Sequence, residues 1–116
     1  MLKISSTQYN TLSAHSKRNF EERLALWLID RFSTQFTQDE AEKLAHQAIA
    51  KCSSYDIQVE KNVTYMAERM VTEGINFEHL PSNEYAKKIL DDNTIAGDDK
   101  IYDIYKHELA TSLLSN

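Results

Sequence analysis

Two glycines and one proline are the only residues of those kinds in this 116-residue chain. Average usage, roughly 7% Gly and 5% Pro, would supply about 14. Sheets joined by tight turns need both types at frequent intervals, so an all-β fold is excluded. Collagen-like, proline-rich and glycine-linker chains are excluded by the same scarcity. With 41% apolar and 27% charged residues, the chain can build a core, and its length suits one domain. The expectation is an all-α fold: one compact domain over residues 1–116, about five helices in an orthogonal bundle. A long central N-terminal helix would be clasped by the second, third and fifth.

Periodicity and capping residues place those helices. The first segment is read from about Ser6 to Ser33, after a capping box from Ser5 to Gln8. Tyr9, Leu12, Phe20, Leu24, Trp27 and Leu28 share one broad face. Leu26 and Ile29 fall outside it, so the second half is apolar nearly all round. A second capping box, Thr37 to Glu40, opens a segment whose stripe is Ala41, Leu44, Ala45, Ala48, Ile49 and Cys52. The turn Ser53 to Asp56 ends it. The third segment spans about Gln58 to Glu73, with Val59, Val63, Met66, Ala67 and Met70 facing inward and Gly74 closing it. After a loop to Pro81, Ser82 can cap a short fourth helix ending at Asp91, with Ala86, Ile89 and Leu90 facing inward. The fifth starts near Asp98, whose carboxylate complements the helix dipole, and its stripe is read as Ile101, Tyr105, Leu109 and Leu113. Glu108 points into the sector of Ile104 and Tyr105, so it is either buried and paired or at an open edge.

The chemistry-bearing residues do not converge. His15, His46, His79 and His107 lie too far apart for metal-ligand spacing. Asp92, Thr94, Gly97 and Asp103 echo a calcium loop, but Ala96 stands where a ligand is needed and the last position is Asp, not Glu. Cys52, the only cysteine, sits on a core stripe, so it forms no intramolecular disulfide and reads as a small hydrophobe. Two glycines cannot build a phosphate-cradling loop, and no nucleophile–base set emerges. The expected protein is not an enzyme and carries no metal or cofactor.

The net charge of −5 disfavours phosphate backbones, although residues 1–36 hold five Lys/Arg against three Asp/Glu. Nucleic acid and membrane are therefore not the expected partners. The longest apolar run, Leu24 to Ile29, is far shorter than the roughly 20 residues that span a bilayer. The first residues lack the apolar stretch of a signal peptide. A cytoplasmic product is expected, with export by a signal-independent machine left open. The expected partner is another protein. Tyr and Trp are enriched in binding hot spots, and of the six tyrosines Tyr65 and Tyr102 sit off the core stripes. With Arg23 and Glu108 they are the candidate partner-binding residues; Arg23 equally suits an ion pair to a neighbouring helix, with Phe20 packed inward.

One pattern runs through these elements. It includes Phe20-Glu21-x-Arg23, then Tyr55-x-Ile57-x-x-Glu60-x-x-Val63, then Gly74-x-x-Phe77-Glu78 and Leu80-Pro81. Over about residues 2–106 it resembles a family of small helical proteins encoded in type VI secretion gene clusters, beside spike and toxin genes. Asp56 stands where that family commonly carries Gly, and Glu84-Tyr85 where a Trp-Ala pair is usual. The resemblance implies a non-enzymatic, protein-binding accessory of an effector system, an adaptor or chaperone whose partner is a toxin or spike component. The alternatives are a cytoplasmic immunity protein that neutralises a cognate toxin, and a small helical DNA-binding regulator using Lys17, Arg18, Arg23 and Arg31.

Overall fold

The computed structural model describes residues 14–114, and every regular element among them is helical. The elements are α1 (Ala14–Arg31), α2 (Gln38–Ser54), α3 (Glu60–Glu73), two single 3₁₀ turns (Phe77–His79 and Pro81–Asn83), α4 (Glu84–Asp91) and α5 (Gly97–Leu114). The predicted capping box from Ser5 to Gln8, with Tyr9 and Leu12, lies outside the described residues.

α2 forms where its sequence says it should. The Thr37 hydroxyl accepts from the Glu40 amide at 3.2 Å, and the Thr37 amide donates to Glu40 Oε1 at 2.9 Å. Two otherwise orphaned donors are thereby satisfied. All six stripe residues, from Ala41 to Cys52, are buried. Their small size lets α1 approach closely, and α2, not α1, holds the central place between α1 and α3. α5 packs on α4 rather than clasping α1. The physical reason is side-chain volume: a stripe of three alanines and a cysteine admits neighbours that the bulky α1 face cannot.

On α1, Phe20, Leu24, Ala25 and Leu28 are buried, while Leu26 is 64% exposed. Trp27, Phe32 and Phe36 close its C-terminal end through two edge-on ring contacts, each 6.4 Å between centroids. Arg23 bonds Glu60, and Arg31 bonds Glu68. The two pairs advance equally along both helices, so α1 and α3 lie side by side in the same direction.

The α2–α3 turn is tightly packed against the start of α5. Asp56 adopts a left-handed backbone, φ 62°. Gly97 lies directly on its carbonyl. The N-cap of α3, Val59, has no side chain able to cap. Asp98, from α5, does that work: its carboxylate accepts from the Val59 amide at 2.9 Å, from the Gln58 amide at 3.2 Å and from Asn62 Nδ2 at 3.0 Å. α4 starts at Glu84, two residues after the predicted cap Ser82, because the chain first makes the 3₁₀ turn at Pro81.

The core stripe predicted for α5 holds only in its first turns. Ile101 and Ile104 are buried, but Tyr105, Leu109 and Leu113 are exposed. An 18-residue helix is about 27 Å long and the 8-residue α4 about 12 Å. α4 nonetheless reaches His107 and Glu108 through Tyr85, so the exposed residues lie on a different side of α5 from the one that α4 covers.

Candidate functional site

The four candidate residues separate into three environments. Arg23 makes a two-pronged ion pair to Glu60, at 3.0 and 2.9 Å, while Phe20 packs inward. Arg23 borders a shallow cavity of about 360 Å³ between α1 and α3, with Trp27 on the same wall and Glu60, Lys61 and Thr64 on the other.

Tyr65 and Glu108 turn toward each other instead of toward solvent. The Tyr65 hydroxyl donates to Glu108 Oε1 at 3.0 Å, and Tyr85 and Arg69 both donate to Glu108 Oε2. Arg69 also bonds Glu73, the Tyr65 oxygen and Asn83 Oδ1. Burial, together with the Glu108 carboxylate, pushes the Tyr65 hydroxyl up to about 12 against the opposing pull of Arg69. This cluster ties α3 to α4 and α5. Of the two readings open for Glu108, pairing is the one observed, and neither residue offers a free group to a partner.

A second polar tie joins the end of α2 to the 3₁₀ turn at Phe77–His79. Glu78, 2% exposed, accepts from Lys51 Nζ at 2.5 Å and from the Tyr55 hydroxyl at 3.1 Å. Its other oxygen, Oε1, is buried with no hydrogen-bond partner. Lys100, also buried, donates to the Leu90 carbonyl at the end of α4. Burial by itself raises a carboxyl, but the Lys51 and Tyr55 bonds outweigh it and hold Glu78 below the usual range. Asn83 and Arg69 do the same for Glu73. Carboxylates lowered in the folded state stabilise it above their unfolded value, and that contribution disappears as pH falls through the folded one. Urea denaturation is thus expected to show constant stability from neutrality down to about pH 5, then a loss as pH drops below the ordinary glutamate value near 4.3. Lys51→Met strands the Glu78 charge, raises its carboxyl, and makes that acid loss shallower; an unchanged acid slope would contradict the pairing.

Among the described residues no group of three or more His, Cys, Asp or Glu is placed to hold a metal. Burial, reinforced by Asp98 and Glu78, pushes the Cys52 thiol far up, so it is a poor nucleophile. His46 lies 3.1 Å from Glu21, and His107 stacks on Tyr85 at 4.2 Å. No helix among the described residues is long and apolar enough to cross a membrane.

Tyr102 is the candidate that faces outward. It borders a groove of about 460 Å³ between α3 and α5, with Val59, Lys61, Asn62, Ile101 and Tyr105. Polar ties close both ends, Asp98 at the α3 N-terminus and Glu108 at Tyr65 and Arg69. The helices are pinned at two points and stand apart between them. From the groove an apolar stripe continues along α5. Tyr102, Tyr105, Leu109 and Leu113 are 62%, 55%, 48% and 69% exposed, and at 100° per residue they fall within one sector. Sequence reasoning missed the last three by assigning them to the core. Compared with known proteins, the chain matches no family model, no curated protein and no solved structure.

Proposed function

We propose that the protein works by binding another protein, as a non-enzymatic accessory of a type VI secretion effector system. The observation that supports binding is the Tyr102–Tyr105–Leu109–Leu113 stripe, an aromatic and aliphatic helix face of the kind that seats a partner helix. The secretion context rests on the residue pattern alone. Its two most distinctive pieces meet in the fold, where Tyr55 bonds Glu78, so the pattern reads as a specification of architecture and not of catalysis. A DNA-binding role loses support, since Arg23 and Arg31 are engaged by Glu60 and Glu68; the side chains of Lys17 and Arg18 lie outside the described residues.

Co-purification with the products of the adjacent genes tests this. One stoichiometric partner is expected, with Leu109→Asp/Leu113→Asp weakening capture at least about tenfold, the scale of losing one or two hot-spot side chains. Recovery of no partner would remove the binding role, and undiminished capture by the variant would remove α5 as its surface. Co-expression with the neighbouring toxin separates the two cellular roles. Increased secretion without rescue marks an adaptor, and rescue from killing marks an immunity protein.

A further inference from the structure

We propose that in the free protein the α5 stripe is covered by a second copy of this chain, in an antiparallel, two-fold symmetric pairing of the two α5 helices. The inference rests on reading that stripe as a docking surface, and names its occupant before any other partner arrives.

Three observations point to a second copy. The first is self-complementarity. The stripe residues are arranged nearly symmetrically about a point between His107 and Glu108. An antiparallel pairing centred there sets Tyr102 against Leu113 of the second copy and Tyr105 against Leu109, each contact occurring twice, as a two-fold interface requires. The second is shape. One side of α5 is packed along α4, through Lys100 at one end and His107 and Glu108 at the other, and among the described residues the stripe side is left exposed, with an open groove against α3 beside its first turns. Antiparallel pairing lays Leu109 and Leu113 of one copy along the groove of the other, whereas a parallel pairing would bring both bodies to the same end. The third is charge. Residues 109–114 contain no ionisable side chain, and the groove carries Lys61 beside Asp98 and Asp99, so two chains of net charge −5 meet where neither concentrates that charge.

The area is modest. With roughly 150–250 Å² for an aromatic side chain and the exposures above, the four residues remove about 400–500 Å² per copy, or ~800–1,000 Å² in all. That does not exceed the roughly 1,000 Å² a stable specific interface clears and falls in the range of weak, transient contacts. The pairing is therefore weak and reversible, with a dissociation constant on the order of 10 µM, and a tighter-binding partner can displace it.

Sedimentation velocity from about 5 to 300 µM is the experiment, since that range brackets the expected constant. The expected result is a shift from monomer to dimer across the range, strengthened by added salt as net repulsion is screened. Leu109→Asp/Leu113→Asp should stay monomeric with unchanged helicity by circular dichroism; if it loses helicity, Leu113→Lys, at the most exposed of the four positions, takes its place. A photo-crosslinker at position 109 should join two chains near Tyr105. A monomer at every concentration, a dimer indifferent to these substitutions, or a crosslink confined to one chain (for example to residues 1–13) would overturn the pairing. A monomeric wild type that still captures a gene-neighbour product through α5 removes this inference and leaves the functional reading standing. A dimer that captures nothing removes only the latter.

Discussion

Arg69→Ala is expected to lower the thermal midpoint by roughly 10–20 °C, corresponding to about 3–4 kcal/mol for breaking one side of a largely buried ion-pair cluster in a domain of this size. The Arg69 side chain is 13% exposed and serves four elements at once. It bonds Glu73 on its own helix, Glu108 on α5 and Asn83 in the 3₁₀ turn before α4, and it lies 4.9 Å above the Phe77 ring. Without it, the Glu108 carboxylate retains two tyrosine hydroxyls but no cation. Arg69→Met separates the contributions, because it keeps the stem over Phe77 and removes only the charge. Most of the loss should persist in Arg69→Met. In a double-mutant cycle, Arg69→Ala with Glu108→Ala should cost less than the sum of the single changes, since the stranded carboxylate is gone. A midpoint shift below about 3 °C for Arg69→Ala, under 1 kcal/mol, would mean that the cluster is solvated and contributes little.

Gly97→Ala is the second large effect, expected at about 3 kcal/mol, the upper range of overpacking combined with a weakened cap. A Cβ built on Gly97 would stand 1.6 Å from the Asp56 carbonyl oxygen and 2.2 Å from its carbon. That obstacle is backbone, so no rotamer relieves it. The α2–α3 turn would have to move, and the neighbouring Asp98 would carry its bonds to Gln58 and Val59 out of register. Gly74→Ala provides the contrast. There an added methyl meets nothing within 4 Å, and the strain comes only from φ +108°, a cost of about 1–2 kcal/mol. Chemical denaturation should rank Gly97→Ala as the worse of the two. The reverse order would show that the approach of α5 to the turn is not tight. Asp56→Gly relieves a left-handed residue and should change stability by less than about 1 kcal/mol, yet it should rescue Gly97→Ala little, because the carbonyl remains.

Much of the fold was legible because helices announce themselves locally. The Thr37 capping box and the Ala41-to-Cys52 stripe are encoded within sixteen consecutive residues and were observed as read. The α3 stripe from Val63 to Met70 and the stop at Gly74 were equally local. The α5 stripe was misassigned for a reason of the same kind. Periodicity says that Ile101, Tyr105, Leu109 and Leu113 share a side of a helix, but not whether anything lies against that side. The Asp98 cap was hidden for another reason: donor and acceptor stand about forty positions apart in sequence.

Of the four candidate binding residues, the sequence identified side chains with capacity for strong contacts, and tertiary packing decided with what. Tyr65 and Glu108 face each other because α3 and α5 run in the same direction and bring their polar positions level. Arg23 is held by Glu60 for the corresponding reason between α1 and α3. Tyr102 reaches solvent at the edge of a groove. Helix type, helix ends and the scarcity of loops were determined by the sequence itself, since caps and hydrogen bonds within a helix close over a few residues. Which faces are buried, which charges are paired and which apolar stripe is left exposed were decided only when the helices packed together, because those contacts join residues far apart in sequence.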